Sequence, residues 1–205
     1  MTATAASYGP PERAFAVRDE RRTDAAAREA LLDAAMGPGR RRKSSEALRR
    51  GRVPAHGLAL VAVGDDGLLC GTVRLWHVHA GTRPDGSAVE ALLLGPLAAR
   101  ADLKGEGIGK ALMTEALARA AVSGHGAVLL VGDPEYYGRF GFSSGPTAGL
   151  AMPGPYETRR FLALELVPDW LRGAQGVLSP SGKERRAPAS GPMSEGSGFL
   201  LKAAS

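Results

Sequence analysis

Lys104-Gly105-Glu106-Gly107-Ile108-Gly109-Lys110 places three glycines within five residues, directly ahead of a helix-patterned stretch in which Ile108, Leu112, Met113, Ala116, Leu117 and Ala120 form an apolar stripe. Ahead of it, residues 89–99 read as a strand; behind it, Gly124 to Gly126 end the helix and residues 127–131 read as a buried strand. A strand, a crossover helix and a second strand pair in parallel. Glycines at such a junction let successive backbone N–H groups turn toward one anion, and the helix N-terminus adds about half a positive charge there. A pyrophosphate suits that site. The plainer alternative, glycine serving only the tight turn, stays open at this point.

The spacing removes two familiar nucleotide loops. A triphosphate loop of the Gly-x4-Gly-Lys-Ser/Thr type would need glycine where Lys104 stands and a hydroxyl where Ala111 stands. A dinucleotide fingerprint would need glycine or alanine at Lys110 or at Leu112, according to its starting glycine. The preceding strand adds a second signal: Gly95-Pro96 interrupts it, and proline cannot donate to a sheet ladder, so a bulge or a break in pairing is expected. Beyond Pro96 the peptide groups of Leu97, Ala98 and Ala99 are then free to bind an extended amide-containing ligand as an added strand. Pantetheine is such a ligand, with its pyrophosphate toward the glycine loop.

Outward from this centre, residues 58–63, 68–77 and 89–99 form an antiparallel meander, joined by Gly64-Asp65-Asp66-Gly67 and by a turn at Pro84-Asp85-Gly86-Ser87. A short strand at 15–18 and a helix from Thr23 or Asp24 to Met36 precede it, with Ala27, Leu31 and Ala34 or Ala35 on the repeating face. Arg40-Arg41-Arg42-Lys43 reads as a solvated loop before a short helix from Ser44 or Ser45 to Arg50, with a phosphate- or acid-binding patch as the alternative. Residues 161–167 form an edge strand. The chain of 205 residues divides into a loose leader at 1–12, one domain at 13–168 and a C-terminal extension at 169–205, whose Gly, Ser, Pro and charge content implies mobility. The fold class is α/β (α+β), with a mixed, mostly antiparallel sheet.

The net charge of +5 and pI near 9.7 favour acidic partners without choosing among them. A single cysteine, Cys70, rules out an intramolecular disulfide or a cysteine-built metal site, so a reducing, cytoplasmic setting is the default and no metal is expected. No run approaches the roughly 20 apolar residues that span a bilayer. Nucleic-acid binding through residues 40–43 lacks aromatic interleaving or a recognised motif. A homodimer stays open.

The loop, and Tyr137-Gly138-Arg139-Phe140-Gly141-Phe142 some thirty residues later, resemble two blocks of the GNAT superfamily of N-acetyltransferases. The longer run from Gly132 to Phe142, with Leu94-Gly95-Pro96-Leu97-Ala98, is similar to its YhbS-like branch. The likeness covers about 15–167; Lys104 stands where the family has Gln or Arg. It implies the GNAT sheet, with a splayed central strand pair, and acetyl-CoA as co-substrate with an amine as acceptor. Lys104, Gly105, Glu106, Gly107, Ile108, Gly109 and Lys110 would hold the phosphates, Leu97, Ala98 and Ala99 the pantetheine, and Tyr136 and Phe140 would border the cofactor. Tyr137 would protonate the departing thiolate, with Tyr136 as second choice, and an amide near Ala99 would polarise the carbonyl.

The base has no clear owner. Some family members carry a glutamate on the strand before the loop, where alignment puts Leu93; Glu90, His77, His79 and Glu157 are the other candidates. A module that senses acyl-CoA without turnover is therefore the competing class.

Overall fold

The computed structural model describes residues 14–185. A seven-stranded sheet has the order β1 (Phe15–Asp19), β2 (Ala59–Gly64), β3 (Leu69–Thr82), β4 (Ala88–Ala99), β5 (Ala127–Val131) and β7 (Phe161–Glu165), with β9 (Ser179–Pro180) added beside β3. Only β4 and β5 run in parallel; every other pair in this sheet is antiparallel. The mixed sheet, its meander and its crossover agree with the expected fold class. A two-stranded ribbon of β6 (Leu150–Ala151) and β8 (Gly176–Val177) lies apart.

The crossover helix α3 (Ile108–Val122) covers one face, burying Ile108, Leu112, Met113, Ala116 and Ala120 against Val73, Leu75, Leu92 and Val128. Gly71 permits this approach, because a Cβ there would stand 2.5 Å from Ile108 Cγ2 and 2.8 Å from Leu112 Cδ1. The opposite face carries α1 (Ala25–Met36) and α2 (Ser44–Arg49).

Three expectations are corrected. The inner stripe of α1 is Arg28, Leu31 and Leu32, while Ala27, Ala34 and Ala35 face solvent. Arg28 can point inward because Glu20 meets its guanidinium there, and periodicity counted on apolar residues alone misses an ion-paired arginine. Arg40 is not solvated: it is buried between Glu29 and Asp33. Residues 169–185 are packed rather than loose, burying Leu171, Ala174 and Leu178. They dock because β2 leaves β3 after Arg74, so β9 takes the vacant edge at Val78 and His79. The expected leader at 1–12 and the rest of the extension, 186–205, lie outside the described residues.

Candidate active site

The site begins with a strand pair that separates. β4 and β5 are in register only at Leu92 with Val128 and Leu93 with Leu129. Just beyond, β4 carries one extra residue, since Leu75 faces Leu94 and Val73 faces Leu97. The Trp76 indole donates to the Gly95 carbonyl at 2.6 Å and fixes this bulge. Past it, β4 remains bonded to β3, and the Arg100 amide donates to the Cys70 carbonyl. Antiparallel alternation then turns the Ala98 peptide groups toward β3 and those of Leu97 and Ala99 toward the gap left by β5. Of the three residues expected to offer a free edge, Ala98 does not; its side chain packs on α1 beside Leu31 and Leu32.

The open edge leads to the glycine loop. Gly105 and Gly107 have φ of +103° and +78°, a region that favours glycine, and Gly107 caps α3. The first α-helical hydrogen bond here runs from the Ala111 amide to the Gly107 carbonyl. The amides of Ile108, Gly109 and Lys110 are therefore the unsatisfied first-turn donors of a 15-residue helix. Lys104, Glu106 and Lys110 are exposed at its rim. Backbone donors, a helix N-terminus and two lysines together suit a diphosphate.

The two adjacent tyrosines serve different parts of this groove. Both sit on α4 (Pro134–Tyr137), which starts where Asp133 accepts the Glu135 amide and whose first turn is closed by the Asp133 carbonyl. The Tyr136 hydroxyl reaches the loop: a Cβ at Gly109 would stand 2.8 Å from it. The Arg139 guanidinium lies 4.7 Å above the Tyr136 ring, and Phe140 packs on that ring at 5.7 Å. Arg139 is thus a cation stacked on the ring whose hydroxyl reaches the loop, a placement that has no signal in the residue spacing.

Tyr137 instead borders the gap. It shares a small cavity of about 80 Å³ with Leu94, Gly95, Pro96, Leu97, Leu130 and Val131, and Met36, Lys43, Ser45 and Arg49 close the cavity from the other side. Burial pushes the Tyr137 phenol up to about 12, with a smaller contribution from Tyr136. Its ring rests on Gly132, where a Cβ would stand 2.1 Å from Tyr137 Cε2, and it meets Phe142 edge-on at 6.0 Å. Gly132 is not among the positive-φ glycines, so alanine there suits the backbone and conflicts chiefly with the ring. Gly132→Ala is therefore expected to fold with the Tyr137 ring displaced by about an ångström or more. A crystal structure of the variant checks this; an unmoved ring would show that Gly132 does not set its position.

Of the base candidates, His77 and Glu90 share a pocket of about 500 Å³ with His56, apart from the cavity at Tyr137, and Glu157 lines neither. His79 and Glu90 bond to each other at 2.7 Å across β3 and β4, and Glu90 lies four residues, about 13 Å, before Leu94. His77 packs beside His125 at 5.4 Å, and Glu157 pairs with Arg159 and Arg160. None of these, nor Leu93, lines the cavity at Tyr137. Two carboxylates, Glu29 and Glu46, line the neighbouring hollow that shares Arg49 and Pro96 with the cavity. The sequence carried no spacing signal for either.

No protein-family model matches the chain. The uncharacterised N-acetyltransferase YhbS of Escherichia coli K12 is 31% identical over 121 residues, spanning 59% of this chain and 70% of that protein. The crystal structure of E. coli YhbS, a GNAT family N-acetyltransferase in complex with CoA, superposes with a TM-score of 0.69 at 28% identity, over 84% of this chain and 93% of that one. A GNAT family acetyltransferase from Brucella melitensis in complex with acetyl-CoA gives 0.57 at 28% identity, over 82% and 96%.

Proposed function

The chain belongs to the GNAT family of N-acetyltransferases, alongside YhbS, and on that premise we propose that it transfers the acetyl group of acetyl-CoA to a primary amine by direct attack. One observation carries the reading: the unpaired edge of β4 leads to the glycine cradle, and Tyr137 stands over the gap beside it. The pantetheine arm would add to β4 through the peptide groups of Leu97 and Ala99. Its diphosphate would lie on the amides of Ile108, Gly109 and Lys110, with Lys104 and Arg139 adding charge. Resemblance alone favours the Ala99 amide for the thioester carbonyl, but the cavity at Tyr137 reaches Leu97, so the role is assigned to the Leu97 N–H.

The amine nitrogen attacks the carbonyl carbon, the C–N bond forms and the C–S bond breaks. The proton lost from nitrogen leaves to water, since no carboxylate or imidazole among the described residues lines the cavity. The sulfur departs as a thiolate, whose conjugate acid has a pKa near 8.5 in water. A phenol held at about 12 stays protonated through the reaction, so Tyr137 donates a hydrogen bond to the sulfur as charge builds. Complete transfer from it is uphill in water. The apolar walls raise the thiolate's proton affinity as well, which narrows that difference.

This has a consequence for pH. The active form of Tyr137 is the protonated one, and its raised pKa keeps that form intact until the pH nears 12. The rate should rise as the acceptor amine deprotonates and show no falling limb below about pH 10. A pH profile of kcat checks this; a descending limb near pH 8–9 with the fold intact would contradict the acid assignment.

That no carboxylate or imidazole lines that cavity among the described residues leaves room for one second reading, a module that binds acyl-CoA without turnover. Acetyl-CoA binding by calorimetry and free-thiol release across an amine panel separate the two. Binding with thiol release supports the enzyme, and binding without release on any amine supports the module. No binding sinks both.

A further inference from the structure

Beside the acyl cleft, on the face of α1 and α2, lies a hollow of about 420 Å³, a volume suited to a small molecule. It shares Arg49 and Pro96 with the cavity at Tyr137, so an occupant would lie beside the acyl cleft. Eight arginines and two glutamates line it. Much of that charge is held in place: Arg28, Arg40 and Arg41 converge on Glu29, Arg74 on Glu20, Arg49 on Glu46 and Arg52 on Glu184. Burial alone would raise the Glu29 carboxyl, but the Arg40 and Arg28 hydrogen bonds prevail and hold it at about 2. It is therefore an anion at any physiological pH.

With Glu20, Asp33 and Glu184 counted behind the wall, five carboxylates face eight guanidinium groups, leaving an excess of three positive charges. Two of the eight, Arg50 and Arg185, make no side-chain ion pair or hydrogen bond among the described residues. Their backbones adjoin at the rim, where the Arg185 amide donates to the carbonyl of Gly51, the neighbour of Arg50, at 2.7 Å. The buried Trp76 ring lines the same hollow, with the Arg74 guanidinium 5.8 Å from its centroid. Preorganised guanidinium forks match the oxygens of a phosphate or carboxylate, and the same excess of charge repels a polyamine.

We propose that the acceptor is a small amine that also bears an oxyanion, held by Arg50 and Arg185 with its amino group toward Pro96 and the acyl cleft. This rests on the acyltransferase reading and names its substrate class. The test uses matched probes: glucosamine 6-phosphate against glucosamine, phosphoethanolamine against ethanolamine, and aspartate against asparagine. Each is titrated calorimetrically into protein saturated with CoA, which keeps the CoA phosphate site occupied, and each is assayed separately, with acetyl-CoA as donor, for thiol release.

The expected result is at least tenfold tighter binding of an anionic member, with the preference shrinking as ionic strength rises. The phosphate and carboxylate arms show which oxyanion is read. R50Q/R185Q should weaken that binding tenfold or more while CoA affinity stays within twofold. The proposal is overturned if no anionic probe binds, if the neutral partner binds as well, or if the double variant retains full affinity. Failure of CoA itself to bind would instead overturn the acyltransferase reading.

Discussion

Tyr137→Phe should lower kcat about a hundredfold and leave the CoA dissociation constant within about threefold. A hydrogen-bond donor aimed at charge that develops in the transition state is worth roughly a hundred- to thousandfold. The substitution removes one oxygen and keeps what positions the ring, which is the bare surface of Gly132 and the edge contact with Phe142. The cradle is a backbone structure some thirty residues earlier, so phosphate binding has no cause to change. Single-turnover kinetics with acetyl-CoA and a reactive amine, beside calorimetry with CoA, give both quantities. A kcat within threefold of the parent would remove the role of hydrogen-bond donor to the sulfur; an equal loss of CoA affinity would make Tyr137 a binding residue instead.

Glu20→Ala should cost about 3–5 kcal/mol of stability, the range found when one partner of a buried ion pair is deleted. The Glu20 side chain is 7% exposed, and it is shared between Arg28 at 8% and Arg74 at 12%. Arg74 Nε reaches it at 2.7 Å. Without the carboxylate, two desolvated guanidinium groups would face each other. At roughly 2–4 °C per kcal/mol for a domain of this size, the expected fall in Tm is about 6–20 °C. Asp102→Ala provides the contrast, because the Arg100–Asp102 pair is 32% and 62% exposed and screened by water, so its loss should leave Tm nearly unchanged. Thermal unfolding of both variants decides it; equal shifts would mean that burial does not govern these pairs.

The glycine cradle and the tyrosine block were legible because each makes its contacts within a few consecutive residues. The break at Gly95-Pro96 was legible for the same reason: proline's missing donor is a local fact with a local effect on pairing. The free edge, however, needed the register with β3, which turns Leu97 and Ala99 one way and Ala98 the other. The stripe of α3 was readable because it is apolar throughout, whereas that of α1 was not, since its inward Arg28 is made tolerable by a carboxylate outside that helix.

By itself, then, the sequence determined a mixed sheet with one parallel crossover, and the two chain-local blocks that identify the family. Only the tertiary structure decided what surrounds them. It packed residues 169–185 onto an edge of β3 that β2 leaves open, and it gathered arginines from α1, the segment after it, α2, β3 and the extension around one hollow. Charges that lie as much as 157 positions apart, from Arg28 to Arg185, have no pattern along the chain. Their pairing and burial are set by how the layers close, so the arginine-lined hollow emerges only once the chain is folded.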